Sequence, residues 1–247
     1  MIHYSIFNQF DDLLAFTTTK DDLPDPLPRF SGKHDHIAKI NRQMLAKILN
    51  ISHLSMIFPR QCHTSNISVI DKLPVGELME TDGLVTGLRN VCLCIQTADC
   101  VPVLLFDPVN KVIGAVHAGW RGTLTGITRE IVSKMISGFS SKPQNIYAVI
   151  GPSIGPEVYE TGDEVASLYI EKFNSGKPVV TRKAAGRYHI NLWKANELQL
   201  ISIGIPSSQI ENPGLCTFSN NNYLFSARRD GIDTGRMVSG IIMRGDL

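Results

Sequence analysis

Short apolar segments with strand-like alternation follow one another closely between residues 55 and 117, and this spacing constrains the fold most. Gly and Pro interrupt the block at intervals of about ten residues, which is typical of strands joined by turns. The segments are 55–59, 67–71, 83–86, 91–96, 101–107 and 111–117. Because these strands cluster instead of alternating with helices, the pattern predicts an α+β fold on mixed sheets and argues against a doubly wound sheet.

Helical periodicity occurs outside this block. We predict helices at 37–49, 123–138, 162–173 and 195–203. Further strands are predicted at 4–7, 13–19, 146–150, 189–192 and 235–243. The proline-rich segment 20–36 is predicted to be a surface loop or lid. No internal repeat, linker or low-complexity tract divides the chain, so we expect one domain over residues 1–247.

The charges of the chain nearly cancel, with 24 Lys and Arg against 23 Asp and Glu and a net charge of +1. A chain without a strong field is not expected to bind nucleic acid or an anionic membrane. Apolar runs such as 101–106 are far shorter than the roughly 18 residues of a membrane-spanning helix, and residues 1–5 do not begin a secretory signal. Five cysteines, an odd number, indicate free thiols and therefore a cytoplasmic location.

Chemically active side chains are densest around the strand-like segment 111–117. Cys100 lies at the boundary of two apolar segments, where a thiol can face a cleft. His117 is followed by Gly119-Trp120-Arg121-Gly122 and a predicted helix. Backbone N–H groups at such a helix start, together with Arg121, would form a site for phosphate or carboxylate. The alternative for Cys100 and His117 is ordinary packing in the core.

His63 is a third candidate, since it also lies between two strand-like segments. One cysteine and two histidines at three strand ends would leave a zinc ion one open position, which is typical of catalytic zinc. No local spacing announces such a site, because neither Cys-x-x-Cys nor His-Glu-x-x-His occurs. We interpret Cys92 and Cys94 as core residues, and His34 with His36 as solvated surface.

Two further polar clusters lie on irregular segments. Residues 150–160 leave a predicted strand through a turn rich in Gly and Pro. Arg228, Arg229 and Arg236 place three cations close together near the C-terminus. These arginines form either exposed salt bridges or a clamp for an anion, and the sequence does not separate the two alternatives.

Four motifs taken together are specific. They are Thr97-Ala98-Asp99-Cys100, Val116-His117-Ala118-Gly119-Trp120-Arg121-Gly122, Ile150-Gly151-Pro152-Ser153-Ile154-Gly155-Pro156 and Phe225-Ser226-Ala227-Arg228-Arg229-Asp230-Gly231. In this order they resemble the YfiH/YlmD family, also called the laccase-domain or polyphenol oxidase family. One departure is that the family's usual Gln-Val-His-Gly is Gln61-Cys62-His63-Thr64 here, so a free thiol flanks a proposed ligand.

The resemblance implies a cytoplasmic enzyme with a single domain of mixed β-sheets in a sandwich-like core flanked by helices. It implies a zinc ion held by His63, Cys100 and His117. It also implies phosphorolysis of purine nucleosides (adenosine, inosine, guanosine and methylthioadenosine) with inorganic phosphate, and deamination of adenosine.

These reactions suggest roles for other side chains. Phosphorolysis requires a cradle for a dianion, for which Arg121 is the first candidate and Arg228 or Arg229 the second. Gln61 is a candidate substrate contact. Asp99 is either a proton acceptor or a hydrogen-bond partner of a ligand histidine, and the sequence does not choose between these roles.

Other functions remain as alternatives. A multicopper oxidase needs about eight histidines, and the seven of this chain, with one His-x-His pair, are too few. Copper bound at the same three ligands would still oxidise phenols weakly. Cys100 and His117 would alternatively form the nucleophile and base of a cysteine hydrolase, such as an amidase that edits peptidoglycan precursors. A binding protein without catalysis is the third class.

Overall fold

Two β-sheets lie face to face and are covered by helices on their outer sides. The computed structural model describes residues 1–25, 27–30, 36–173, 179–183 and 186–245. The strands are β1 (Ile2–His3), β2 (Leu13–Thr17), β3 (Met56–Ile57), β4 (Ile67–Ile70), β5 (Gly83–Thr86), β6 (Cys92–Thr97), β7 (Val101–Asp107), β8 (Val112–Ala118), β9 (Tyr147–Ile150), β10 (Glu160–Thr161), β11 (Val180–Arg182), β12 (Tyr188–Ile190), β13 (Ile210–Glu211) and β14 (Met237–Met243). The helices are α1 (His36–Leu49), α2 (Trp120–Thr125), α3 (Ile127–Phe139), α4 (Asp163–Lys172), α5 (Leu192–Ser202) and α6 (Ala227–Asp230).

Both large sheets mix parallel and antiparallel pairs, as the sequence predicted. The first sheet has the strand order β1-β2-β14-β6-β3, and only its β3–β6 pair is parallel among the described residues. The second sheet has the order β13-β9-β7-β8-β5-β4 and is parallel at its two edge pairs. A small sheet of order β10-β12-β11 lies apart from them.

Alternate side chains of each central strand point to opposite faces of the sheet and pack in two different cores. On β6, Leu93 and Ile95 face the core between the two sheets, whereas Cys92 and Cys94 pack with α1. On β7, alternate residues enter the same central core or pack against the helices α3 and α5. Burial on both faces explains why β6, β7, β8 and β14 are apolar almost throughout. The expected sandwich flanked by helices is confirmed, and so is the core position of Cys92 and Cys94.

Several predicted elements differ from the structure in type or in bounds. Residues 4–7 are a tight turn, in which Phe7 N–H donates to the Tyr4 carbonyl at 3.2 Å, and the edge strand precedes it as β1. The helix predicted at 123–138 begins earlier and is split into α2 and α3 by Gly126, whose φ of 94° no regular helix adopts. The last strand begins at Met237, two residues later than expected.

The strand ends that carry the candidate residues meet at one edge of the molecule. Val101 pairs with Ala118, and Thr97 at the end of β6 pairs with Met237. This edge therefore brings together the turn after β6, the end of β8 and the loops before β4 and β5, the first of which carries His63. No helix in the described part of the chain is long and apolar enough to cross a membrane. That one domain spans residues 1–247 stays a prediction, and His34 lies outside the described residues.

Candidate active site and metal centre

His63, Cys100 and His117 converge at this edge from three separate segments. Cys100 Sγ lies 3.8 Å from His63 Nε2, and the ligand atoms of all three residues lie within 4.8 Å of one another. Bond lengths of about 2.0–2.3 Å place two ligands of a tetrahedral zinc roughly 3.5 Å apart, so the donors are close to the required separation. Among the described residues these three form the single cluster of His, Cys, Asp and Glu with metal-binding spacing.

Asp82, just before β5, organises two of the three ligands. Its buried carboxylate accepts a hydrogen bond from His117 Nδ1 at 2.8 Å, and its backbone carbonyl accepts one from His117 N–H at 2.7 Å. Because Nδ1 is engaged by Asp82, Nε2 of His117 is the nitrogen left for a metal. The hydrogen bond also lowers the pKa of Asp82 to about 2, against the opposing effect of burial.

The same carboxylate holds the His63 loop. It accepts hydrogen bonds from the backbone N–H groups of Cys62, His63 and Thr64, at 3.1, 3.0 and 2.7 Å. His63 has a φ of 60°, in the left-handed region, which allows three successive N–H groups to converge on one anion. The hydroxyl of Thr64 donates a further hydrogen bond at 2.7 Å. The threonine that departs from the family motif thus strengthens the loop.

Gly119 leaves the space in which the ligands approach one another. A Cβ at this position would lie 3.0 Å from Cδ2 of His63 and 3.1 Å from Sγ of Cys100. These separations are shorter than ordinary van der Waals contact between carbon or sulfur atoms. A side chain directly before α2 would therefore force His63 and Cys100 to shift by a few tenths of an ångström.

The cluster favours a thiolate beside a protonated imidazole when no metal is bound. Burial raises the pKa of Cys100, but the charge and hydrogen bond of His117 outweigh it and bring the value to about 6. Burial lowers the pKa of His117, whereas the Cys100 thiolate and Asp82 raise it to about 9. Since a thiolate is the form of cysteine that binds metal and attacks substrates, Cys100 is ready for either task near neutral pH.

A cleft of about 670 Å³ opens onto the three ligands. This volume is within the usual range for small-molecule sites, about 300–1,000 Å³. Four arginines line it: Arg29, Arg60, Arg228 and Arg236. Arg29 is paired with Asp233, and Arg236 donates to the carbonyls of its own loop. Within the described part of the chain Arg60 forms no ion pair, and its guanidinium contacts only the sulfur of Met79.

Asp99 joins three loops around the cleft and does not contact a ligand histidine. Its carboxylate accepts hydrogen bonds from Thr217 Oγ1 and from the Arg228 N–H, both at 2.6 Å. Its carbonyl accepts the Ile154 N–H at 2.9 Å. Asp99 has a φ of 92°, a strained conformation for a residue with a side chain, and it directly precedes Cys100. The histidine partner that the sequence left open is Asp82.

The two candidate arginines of α6, Arg228 and Arg229, differ in whether their guanidinium groups are available to a ligand. Arg228 lines the cleft, with its guanidinium 5.3 Å from the ring centre of Tyr159. All five guanidinium N–H groups of Arg229 donate hydrogen bonds within the protein. Their acceptors are the Asp230 carboxylate and the carbonyls of Thr217, Phe218 and Leu224. Arg229 therefore has no donor left for a phosphate.

Arg121 and Gln61 also differ from the expectation. Arg121 is exposed, stacks on Trp120 at 4.3 Å and is not among the described residues that line the cleft. The helix behind it, α2, ends at Thr125 and is too short to bind an anion by its dipole. Gln61 lines the cleft, but its amide is paired with the backbone of Gln96 through two hydrogen bonds of 2.8 Å.

Sequence reasoning missed Asp82 and two of the four cleft arginines, Arg29 and Arg60, as functional candidates. Asp82 stands alone between Thr81 and Gly83, without a motif or a spacing that points to histidine. The one available signal was its position directly before a buried strand. Arg29 and Arg60 belong to segments far from the other site residues in sequence, and only the fold brings them to the cleft.

The mixed-sheet sandwich therefore carries a His–Cys–His cluster that could hold a metal ion, at the base of an arginine-lined cleft. The chain belongs to the family whose model is described as multi-copper polyphenol oxidoreductase laccase, which matches residues 30–244.

Relatives agree with this assignment. The chain is 32% identical to a purine nucleoside phosphorylase of Bacteroides thetaiotaomicron, over 98% of this chain and 96% of the relative. It is 36% identical to adenosine deaminase RL5 of an unknown prokaryote, over 92% of each chain. Among solved structures, YlmD of Geobacillus stearothermophilus matches with a TM-score of 0.89 and 31% identity, over 96% of this chain and 94% of that chain. The Bacillus licheniformis hypothetical protein YfiH gives a TM-score of 0.86 at 34% identity with the same coverage.

We expect Asp82→Ala to lower zinc affinity about 10–100-fold, because His117 loses the partner that orients its ring. Competition with a chromophoric chelator measures the affinity. Asp107→Ala is the matched control, since Asp107 is also buried and its carboxylate accepts hydrogen bonds from Val109 and Asn110 away from the cleft. It should lower the free energy of unfolding and leave zinc affinity unchanged. Equal zinc affinity in both variants would contradict the role given to Asp82.

Gly119→Ala should lower the metal content of the protein, since the new methyl group fits only if His63 and Cys100 shift by a few tenths of an ångström. Elemental analysis of the purified variant gives the metal content. Gly138→Ala is its control, because a Cβ at Gly138 in α3 meets no atom within 4 Å. That variant should bind metal normally and gain up to about 1 kcal/mol in stability. Full metal content in Gly119→Ala would show that the cluster tolerates the methyl group.

Proposed function

We propose that the protein is a zinc-dependent purine nucleoside phosphorylase that also deaminates adenosine. The observation that carries this proposal is the opening of one arginine-lined cleft directly onto His63, Cys100 and His117. A site for an anion and a site for a catalytic metal therefore share one cavity. The substrates are adenosine, inosine, guanosine and methylthioadenosine, together with inorganic phosphate.

The donor set suits zinc. One thiolate and two imidazoles are ligands that zinc binds well, and three protein ligands leave a fourth position open. Copper binds the same donors more tightly in general, so copper loading would account for weak phenol oxidation. When bound, such an ion supplies Lewis acidity, which acidifies water for the hydrolytic deamination.

Arg60 and Arg228 are the residues that we assign to phosphate. Both line the cleft, and Arg60 has no competing carboxylate among the described residues. Phosphorolysis breaks the bond between the anomeric carbon and the purine nitrogen, while a phosphate oxygen forms the new bond to that carbon and the purine takes up a proton. Arginines hold the dianion in line and balance the charge of the oxocarbenium-like transition state.

Tyr159 and Asp99 support this arrangement. Burial and the neighbouring Cys100 thiolate raise the pKa of Tyr159 to about 12, so its hydroxyl keeps its proton and can donate a hydrogen bond in the cleft. Asp99 positions Arg228 through the 2.6 Å hydrogen bond to its backbone N–H. We assign Asp99 to this positioning task and not to proton transfer, because both carboxylate oxygens already accept hydrogen bonds from the protein.

A cytoplasmic location and the absence of nucleic-acid or membrane partners belong to the same proposal. The net charge of +1 supplies no extended attraction for polyanions. All five cysteines are free thiols, which fits a reducing compartment.

A cysteine hydrolase is the second candidate, and one geometric observation favours it. Cys100, His117 and Asp82 form a chain of thiol, imidazole and carboxylate, which is the arrangement of an activated nucleophile. An amidase acting on peptidoglycan precursors would use it without metal. The two functions differ in their response to chelation, because only the phosphorylase depends on the ion.

We expect the purified protein to convert adenosine and phosphate to adenine and ribose 1-phosphate, and adenosine alone to inosine. Chromatography of the products measures both. Cys100→Ala should lose the metal and both activities, whereas Cys62→Ala should keep them, since the exposed Cys62 thiol is not part of the cluster.

Chelation should abolish turnover and zinc should restore it. If neither adenine nor inosine is formed, the proposal is wrong. If the metal-free protein is active and alkylation of Cys100 destroys that activity, the hydrolase is favoured.

Arg228→Ala should raise the KM for phosphate at least about tenfold, because a charge-assisted hydrogen bond contributes about 1.5–3 kcal/mol. The KM for adenosine should change little. Asp99→Asn should shift the phosphate KM in the same direction but by less, since asparagine tolerates the left-handed backbone and only weakens the hold on Arg228. Arg129→Ala, on an exposed part of α3 outside the cleft, is the control. A phosphate KM that does not respond to Arg228→Ala would remove this arginine from the phosphate site.

A further inference from the structure

A second cavity lies between the start of α1, strand β3 and the loop 74–78. Its volume is about 560 Å³, and none of its lining residues lines the catalytic cleft. The wall formed by Leu54, Met56, Ile57, Phe58 and Leu78 is apolar. A cavity of this size and composition is typical of a site for a small molecule with an apolar body.

Arg42 gives this apolar cavity a cation. Its guanidinium stacks on Phe58, 4.7 Å from the ring centre, and Nε donates a hydrogen bond to the carbonyl of Phe30. Within the described part of the chain Arg42 forms no ion pair, although the side chain is half-buried. A partly desolvated cation that forms no ion pair with these residues is costly, and an anion in the cavity would offset that cost.

Positive charges outnumber negative ones around the opening. Lys39 lies one turn before Arg42 on α1, and both line the cavity. Glu77 is the one carboxylate among the described lining residues, and it attracts Arg42 electrostatically without forming an ion pair with Arg42 or Lys39. The local balance is therefore positive, and an anionic group is the complement.

We propose that this cavity binds a small amphiphilic anion, in which an acyl or aryl body carries one carboxylate or phosphate group. The apolar body packs against Phe58 and its neighbours. The anionic group lies against the two terminal guanidinium nitrogens of Arg42, whose planar fork matches such oxygens. This proposal is independent of the reaction assigned to the catalytic cleft.

The cavity lies directly behind one wall of the catalytic cleft. Phe58 stacks on Phe30 with ring centres 5.7 Å apart, and Phe30 N–H donates to Gln96, which lines the cleft. A ligand that packs on Phe58 is therefore linked to Gln96 through the Phe30 ring and its backbone N–H. Arg29, next to Phe30 in sequence, also reaches the cleft from this layer.

Isothermal titration of the zinc-loaded protein with decanoate, decyl phosphate and decanol below their micelle concentrations tests the proposal. We expect one of the two anions to bind at least about tenfold more tightly than decanol, and the tighter anion identifies the head group. Equal binding of decanol would show that charge has no role. No binding of either anion overturns the proposal.

Variants locate the ligand. Arg42→Met should weaken binding of the preferred anion about tenfold, and Lys39→Met should weaken it less. Lys47→Met removes the same charge from an exposed site on α1 outside the cavity and should have no effect. Glu77→Gln, a mild change, should tighten binding, which keeps the test valid even if Arg42→Met does not fold.

Arg228→Ala separates this site from the catalytic one. It should bind the anion as the unmodified protein does, because Arg228 lines the catalytic cleft and not the second cavity. Binding that does not change in Glu77→Gln and Lys39→Met, or that is lost in Arg228→Ala, would place the ligand elsewhere and contradict the proposal.

Discussion

The carboxylate of Asp82 is the interaction on which the site depends. It is fully buried and accepts five hydrogen bonds, four from residues 62–64 and one from His117. A buried charge is tolerated only when its oxygens are satisfied, so the His63 loop and the His117 ring stabilise the carboxylate that positions them. The same contacts hold the His63 backbone and the His117 ring without an ion, so the cluster that could bind a metal is preorganised.

The sandwich provides the rigid support for this arrangement. Central strands buried on both faces end at a common edge, and Asp82, Cys100 and His117 stand at strand ends or one residue beyond them, whereas His63 lies in the loop before β4. Cys100 follows the strained Asp99, and Gly119 directly precedes a helix where a methyl group would crowd His63 and Cys100. Local strain and close approach are thus concentrated where the ligands meet, and the packed strands hold them there.

Charge is distributed locally in this protein. The chain as a whole is nearly neutral, yet four arginines face one cleft and another supplies the cation of the second cavity. Arg228 and Arg229 are adjacent in sequence but make different contacts. Arg229 joins α6 to the surrounding loops by hydrogen bonds, whereas Arg228 lines the cleft. What an arginine does here depends on how many of its donors the protein has already used.

The amino-acid sequence by itself determined the strand-rich α+β class, the core positions of Cys92 and Cys94, and the choice of His63, Cys100 and His117 as candidate ligands. Alternation and strand ends are local properties, so they can be read from neighbouring residues. Only the tertiary structure decided that Asp82 is the partner of His117, that Arg60 joins Arg228 at the cleft, and that Arg121 and Arg229 lie outside it or are fully engaged. Those contacts join residues far apart in the chain, and their geometry follows from how the two sheets and their loops pack, which no local pattern records.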